Sequence, residues 1–243
     1  GLKDGGQSGT LNGDHKQGEY PMRRLTTGIL AHVDAGKTTL TEAMLYVTGA
    51  IRTLGRVDHG DAFLDTQELE RERGITIYAK QAILRRGELE LTLVDTPGHV
   101  DFSAETERAL QVLDCAILVV SAPDGVQGHT ETLWQLLEEA GAPVFVFVNK
   151  MDQPNAGKAE ILRQLENRLG QGFVDMADPQ ARGEGAALCS EELMERYLSG
   201  EELTREELAA LVVQRQLFPV YFGAALQAEG VELLLDGVEA YTL

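Results

Sequence analysis

An eight-residue segment, A-H-V-D-A-G-K-T at residues 31–38, most limits what this chain can fold into. It follows an apolar run that ends at Leu30 and precedes a helix-like stretch, T-L-T-E-A-M-L. This order predicts a strand, a tight loop and a helix. The small residues Ala31, Ala35 and Gly36 let the backbone pass close to an anion, and the loop N–H groups and the helix N-terminus point at the same place. The segment therefore predicts a phosphate-binding loop.

Two side chains of this loop carry the predicted chemistry. Lys37 would bridge the β- and γ-phosphates of a nucleoside triphosphate, and the Thr38 hydroxyl would bind Mg²⁺. The strict pattern begins with Gly where this chain has Ala31, and an ordinary βα turn is the alternative for the segment taken alone. The residues predicted to bind nucleotide here are His32, Val33, Asp34, Ala35, Gly36, Lys37, Thr38 and Thr39.

Apolar runs and helix-like segments alternate along most of the chain. This alternation predicts an α/β fold with a mostly parallel sheet and helices on both faces. Residues 115–120 and 144–148 are continuously apolar, as expected of strands buried on both faces. The other predicted elements are strands 25–30 and 220–223, a hairpin of 75–84 with 89–94, and helices 38–47, 101–113, 133–140 and 230–241.

The domain organisation follows from changes in this pattern. Residues 22–243 are interpreted as one domain, and the polar residues 1–21 as a disordered leader or a cloning remnant. Residues 155–216 are polar and helical in composition, and are interpreted as an insertion packed on the sheet domain. Within this block, Thr204 and Glu207 form a predicted capping box at the start of a helix.

The composition restricts the partners and the compartment. A net charge of −18 disfavours a domain that coats nucleic acid by electrostatic attraction. Cys115 and Cys189 are isolated in the sequence, which predicts reduced thiols in a cytoplasmic protein. Because no apolar run approaches the length of a membrane span, we expect no membrane partner.

The segment D-T-P-G-H at residues 95–99 directly follows the predicted strand 89–94. Asp95 at the strand end would hold Mg²⁺ through water, and the N–H of Gly98 would approach the γ-phosphate. A turn rich in Asp, Pro and Gly is the alternative. Because a predicted phosphate loop lies upstream, we favour the role in binding Mg²⁺ and the γ-phosphate over the plain turn.

The segment N-K-M-D at residues 149–152 ends the buried strand 144–148. The Asp152 carboxylate can accept both the ring N–H and the exocyclic amine of guanine, whereas adenine would leave polar groups unpaired. Asn149 and Lys150 would support the loop and the base. This segment therefore predicts a guanine nucleotide and excludes an ATPase.

Two weaker segments complete the predicted site. Gly223, Ala224 and Ala225 follow the last predicted strand, and the Ala225 N–H is predicted to reach the guanine oxygen. Ala224 stands where a serine is common, and a plain loop is an equal alternative. Thr76 ends a charged segment, E-R-E-R-G-I-T. Its hydroxyl would bind Mg²⁺, and its N–H would donate to the γ-phosphate. The alternative is that the segment is an ordinary solvated run of charges.

Together these segments resemble the nucleotide-binding domain of translational GTPases, which implies a P-loop GTPase fold. The resemblance covers residues 22–243 and is carried by A-H-V-D-A-G-K-T-T-L-T-E, E-R-E-R-G-I-T-I, D-T-P-G-H-V-D-F and N-K-M-D. The chain is most similar to elongation factor G and to the tetracycline-resistance ribosomal protection proteins. Y-V-T-G-A-I-R-T-L-G-R-V-D-H-G and F-L-D-T at 63–66 favour the protection proteins. Members of both groups need further domains, so this chain is expected to be one domain of a larger protein.

The resemblance also implies the catalytic groups. His99 would position or polarise the attacking water once the ribosome moves it inward. Lys37 and the Gly98 N–H would stabilise charge on the γ-phosphate, while Thr38, Thr76 and, through water, Asp95 would hold Mg²⁺.

Val33 and Ile75 would form an apolar gate in front of His99, and Asp34 would bind a monovalent cation. The predicted partners are GTP or GDP and the ribosome, with the protein as a monomer. A housekeeping elongation or release factor is the alternative within this family, and a weakly hydrolysing regulatory GTP-binding module is the alternative outside it.

Overall fold

The computed structural model describes residues 21–54, 80–96 and 103–242. Within them, seven strands form one sheet in the order β2-β3-β1-β4-β5-β7-β6. The strands are β1 (Arg23–Ala31), β2 (Lys80–Arg86), β3 (Leu89–Asp95), β4 (Cys115–Ser121), β5 (Val144–Asn149), β6 (Phe173–Asp175) and β7 (Phe218–Phe222). The helices are α1 (Lys37–Val47), α2 (Ala104–Gln111), α3 (Gly128–Ala140), α4 (Lys158–Leu169), α5 (Pro179–Ala187), α6 (Glu191–Leu198), α7 (Arg205–Val213) and α8 (Val231–Tyr241).

The sheet is mostly parallel, which confirms the predicted α/β class. Strand β1 pairs in parallel with β3 and β4, and β7 pairs in parallel with β5 and β6. Only β2 among the described strands runs antiparallel, joined to β3 by a hairpin in which Gly87 has a φ of 57°. The carboxyl ends of the parallel strands therefore meet at one edge of the sheet, where ligands of such folds bind.

Two hydrophobic cores lie on opposite faces of the sheet. Alternate residues of β4 enter different cores, with Ile117 in one and Leu118 in the other. The first core is closed by α1, α7 and α8, and the second by α2, α3 and α4. This double burial explains the continuous apolar runs of β4 and β5, in which every residue is buried. Burial also raises the pKa of the Cys115 thiol to about 12, and both cysteines are free.

The block predicted as a helical insertion contains helices α4 to α7, but it also contains a strand. The three residues of β6 pair with β7 at the edge of the sheet. Helix α5 was not predicted, because Gly183 and Gly185 lower its helix propensity. A Cβ at Gly185 would lie 2.3 Å from the Val174 side chain, so the glycine allows α5 to pack closely on β6. In the described part of the chain, no helix has the length and apolar character needed to cross a bilayer.

A capping box starts α7, as the sequence predicted. The Thr204 hydroxyl accepts from the Glu207 N–H, and the Glu207 carboxylate accepts from the Thr204 N–H. The same carboxylate receives two hydrogen bonds, of 2.8 and 3.1 Å, from the Arg196 guanidinium of α6. These Arg196 bonds, with the bond from the Thr204 N–H, lower the pKa of Glu207 to about 2. One carboxylate therefore caps α7 and connects it to α6.

We expect Glu207→Gln to lower the melting temperature at pH 7, because the variant keeps a capping oxygen but loses the charge that pairs with Arg196. A depressed carboxyl pKa stabilises the fold above the ordinary value of 4.5, and this contribution disappears as the pH falls from 4.5 toward 2. The melting-temperature difference from the wild type should therefore shrink below pH 4.5. The exposed neighbour variant Glu206→Gln is the control, and a difference independent of pH would contradict the assignment.

Candidate nucleotide-binding site

The loop between β1 and α1 has the backbone expected of an anion site. Gly36 is the N-cap of α1 and adopts a left-handed conformation with φ of 101°, while Asp34 has a φ of 62°. Because Gly36 carries no capping side chain, the first N–H groups of α1 point out of the helix end toward the loop. The predicted order of strand, tight loop and helix is confirmed.

Gly36 is required for space as well as for conformation. A Cβ at this position would lie 2.2 Å from Nδ2 of Asn149. A side chain here would therefore displace an amide that is 3% exposed.

Asn149 joins the phosphate loop to the loop after β7. It ends β5, donates from Nδ2 to the Ala35 carbonyl at 2.9 Å, and accepts at Oδ1 from the Ala225 N–H at 2.9 Å. The sequence predicted a supporting role for Asn149, and this is the contact that provides it. The Ala225 N–H, for which the sequence predicts a contact with the guanine oxygen, donates to Asn149 in this structure.

The residues after Asn149 extend the connection between these loops. Lys150 adopts a φ of 62° and donates from Nζ to the Asp34 carbonyl at 2.6 Å. The Met151 N–H donates to the Gly223 carbonyl at 3.0 Å. Asp152 follows on the same turn, and its exposed carboxylate accepts from Gln227 of the loop after β7.

The loop after β7 is fixed by close backbone approach. A Cβ at Gly223 would lie 2.0 Å from the Glu229 carbonyl oxygen. Ala224 exchanges two hydrogen bonds of 3.0 Å with Glu229, and the residues between them form a short 3₁₀ helix, Ala225–Gln227. The predicted loop residues Gly223, Ala224 and Ala225 therefore lie beside Asn149 and Asp152.

The phosphate end of the site contains an ion pair between Lys37 and Asp95. Lys37 Nζ also lies 3.5 Å from the Thr96 carbonyl oxygen, and the Thr96 hydroxyl donates to the Ile29 carbonyl at 3.3 Å. The strand pairing of Ile29 with Asp95 explains why the carboxylate lies beside the loop. A carboxylate and the Thr38 hydroxyl supply hard oxygen ligands, which fit Mg²⁺.

His32 contacts the protein on both sides of its ring. It is 6% exposed, Nε2 accepts from the Ser121 N–H at 3.1 Å, and Nδ1 lies 3.0 Å from the Val33 carbonyl oxygen. Because Nε2 accepts from a backbone N–H, the proton lies on Nδ1, which donates to Val33. Burial lowers the pKa of His32 below its ordinary value of 6.5. Its side chain joins the loop to the end of β4, so only its backbone is available to a nucleotide.

Ile75, Thr76, Gly98 and His99 lie outside the described residues. Val33 is 75% exposed on the phosphate loop. Two further residues of the site were not predicted from the sequence: Ser121, whose backbone N–H holds His32, and Gln227, whose side chain reaches Asp152. Nothing in their local sequence indicates these contacts, since the partners are 89 and 75 residues apart.

We expect Asn149→Ala to destabilise the fold by about 3 kcal/mol, because it leaves the Ala35 carbonyl and the Ala225 N–H without their partner. Urea unfolding measures this free energy. We also expect GDP affinity to fall at least about tenfold, because the two loops lose their connection.

The exposed Asn167→Ala on α4 is the matched control and should change neither quantity. An Asn149→Ala variant with wild-type stability and GDP affinity would show that this amide does not assemble the site.

Comparisons with known proteins agree with this geometry. Residues 22–242 match the sequence profile of the family described as the elongation factor Tu GTP binding domain. The oxytetracycline resistance protein of Streptomyces rimosus is 43% identical over 244 residues. The tetracycline resistance proteins TetW of Butyrivibrio fibrisolvens and TetP of Clostridium perfringens are 40% and 37% identical.

The lengths of these relatives differ from that of the chain. Each match covers 89% of this chain and 37% of the relative, so the chain spans little more than a third of their length. A crystal structure of a protein from Thermus thermophilus is similar, with a TM-score of 0.71 and 28% identity over 89% of this chain and 40% of that one.

Proposed function

Because the chain belongs to the family of the elongation factor Tu GTP-binding domain, we propose that it binds GTP with Mg²⁺ and hydrolyses it when its protein meets the ribosome. The observation that carries this proposal is the double hydrogen bond of Asn149, which brings the phosphate loop and the loop after β7 to one place. We call the part of the site at the phosphate loop the phosphate end, and the part at Asp152 and the loop after β7 the base end. A nucleotide needs both parts side by side.

The groups around Asp152 favour the binding of guanine over adenine. Asp152 is exposed, on a turn held by Lys150 and by the Met151 N–H. Its carboxylate only accepts hydrogen bonds, so it pairs with the two N–H donors of guanine and leaves adenine mismatched.

The phosphate end supports a triphosphate and its metal ion. Lys37, on the first turn of α1, reaches the same point as the Asp95 carboxylate, so its ammonium can stabilise charge on a γ-phosphate. Mg²⁺, when bound, neutralises charge on the β- and γ-phosphates. Thr38 and Thr76 would bind it directly, and Asp95 would orient one of its waters.

The catalytic step depends on positioning. His99 would orient the attacking water, and the Gly98 N–H would donate to the γ-phosphate, with Val33 and Ile75 limiting the access of His99. Asp34 would hold a monovalent cation beside the phosphates. Electrostatic stabilisation by such preorganised groups dominates phosphoryl transfer, so slow hydrolysis is expected until the ribosome completes the arrangement.

The similarity to drug-resistance proteins favours ribosomal protection as the cellular role. The names of three relatives, at 37% to 43% identity, describe resistance to tetracycline or oxytetracycline. We propose that the protein confers such resistance by acting on the ribosome, in the cytoplasm and as a monomer. A resistance assay with the full-length protein tests this task, and unchanged drug sensitivity would favour a housekeeping elongation or release factor.

We expect Asp152→Asn to shift base preference from guanine to xanthine. An asparagine amide can donate to the second carbonyl of xanthine, whereas the guanine amine loses its acceptor. GDP affinity should fall at least about a hundredfold, because the bond from the amine is lost and the bond from the ring N–H is no longer charge-assisted. Calorimetric titration with GDP and XDP measures this, and an unchanged guanine preference would refute the assignment of the base end.

Activation by the ribosome is tested with the full-length protein. We expect GTP hydrolysis to rise when ribosomes are added, and His99→Ala to keep GTP affinity within about twofold while losing at least about a hundredfold of stimulated turnover. Phosphate release with and without ribosomes measures both. Absence of stimulation in the wild type would favour the regulatory GTP-binding module, and an equal loss of GTP binding would show that His99 supports the loop instead.

A further inference from the structure

The Gln227 side chain contacts the carboxylate that the proposed function assigns to guanine. Its Nε2 donates to Oδ2 of Asp152 at 3.3 Å. Because a carboxylate only accepts, the amide nitrogen and not the amide oxygen must face Asp152. This contact joins the loop after β7 to the base end of the site, 75 residues away in the sequence.

The backbone on both sides of this contact is fixed. Gln227 ends the 3₁₀ helix, donates its N–H to the Ala224 carbonyl at 3.1 Å, and precedes Ala228 in a left-handed conformation. On the other side, the Gln153 N–H donates to the Lys150 carbonyl at 3.1 Å. The two exposed side chains therefore project from hydrogen-bonded turns, and Gln227 Nε2 reaches Asp152 Oδ2 from the turn after β7.

The orientation of the carboxylate decides whether it can bind guanine. Both oxygens must lie in the plane of the base to accept from the ring N–H and the exocyclic amine together. Asp152 is exposed, so its terminal torsion is broad without a partner. A donor on Oδ2 occupies one lone pair, restricts that rotation and leaves lone pairs of both oxygens for the base.

We propose that Gln227 is a positioning residue for base recognition, which sets the plane of the Asp152 carboxylate and thereby favours guanine over bases with one donor. The side chain of Ala224, in the same loop, has no donor for this purpose. This inference rests on the proposed guanine site. It adds a specificity-determining residue that the local sequence does not reveal.

The test compares GDP with IDP, whose base lacks the exocyclic amine, by calorimetric titration of the full chain. We expect Gln227→Leu to lower GDP affinity about tenfold and IDP affinity by no more than about threefold, since only guanine uses both oxygens. Gln227→Lys retains a donor and should restore the GDP preference. Gln214→Leu, at an exposed position at the end of α7, is the matched control and should change neither affinity.

The outcomes separate this inference from the proposed guanine site. Equal losses for GDP and IDP would overturn the positioning role, because damage to the loop would weaken both. Unchanged GDP affinity in Gln227→Leu, with a normal shift to XDP in Asp152→Asn, would overturn the role of Gln227 alone. Failure of Asp152→Asn to shift toward XDP would overturn the guanine site and this inference with it.

Discussion

The buried amide of Asn149 is the interaction on which the rest of the site depends. It donates to the phosphate loop at Ala35 and accepts from the loop after β7 at Ala225, both at 2.9 Å. Because both hydrogen bonds are buried, each of these backbone groups would be costly to leave unpaired. One side chain therefore satisfies two loops and fixes the distance between the phosphate end and the base end.

The sheet makes this arrangement possible. Strands β1, β5 and β7 belong to the parallel part of the sheet, so the loops that follow them emerge at the same edge. Two hydrophobic cores cover the faces of the sheet and bury these strands. The loops at their ends are joined by the hydrogen bonds of Asn149. His32 extends the same principle to β4, since its neutral ring connects the phosphate loop to the Ser121 N–H. Three loops at this edge of the sheet are therefore joined to one another by hydrogen bonds of buried side chains.

Much of this could be predicted from the sequence, and the failures have physical causes. The continuous apolar runs predicted β4 and β5, and N-K-M-D placed Asn149 and Asp152 at the end of β5. Strand β6 was missed because its three residues are too few to show a periodicity. The bonds of Asn149 to Ala35 and Ala225 span 114 and 76 residues, and such contacts follow from the fold and not from local sequence.

A crystal structure of the full chain with GDP and Mg²⁺ tests the central claim most directly. The account predicts that the guanine ring N–H and exocyclic amine lie within hydrogen-bond distance of Asp152, while Asn149 keeps its bonds to Ala35 and Ala225. A base bound away from Asp152, or an Asn149 amide turned away from both loops, would contradict it.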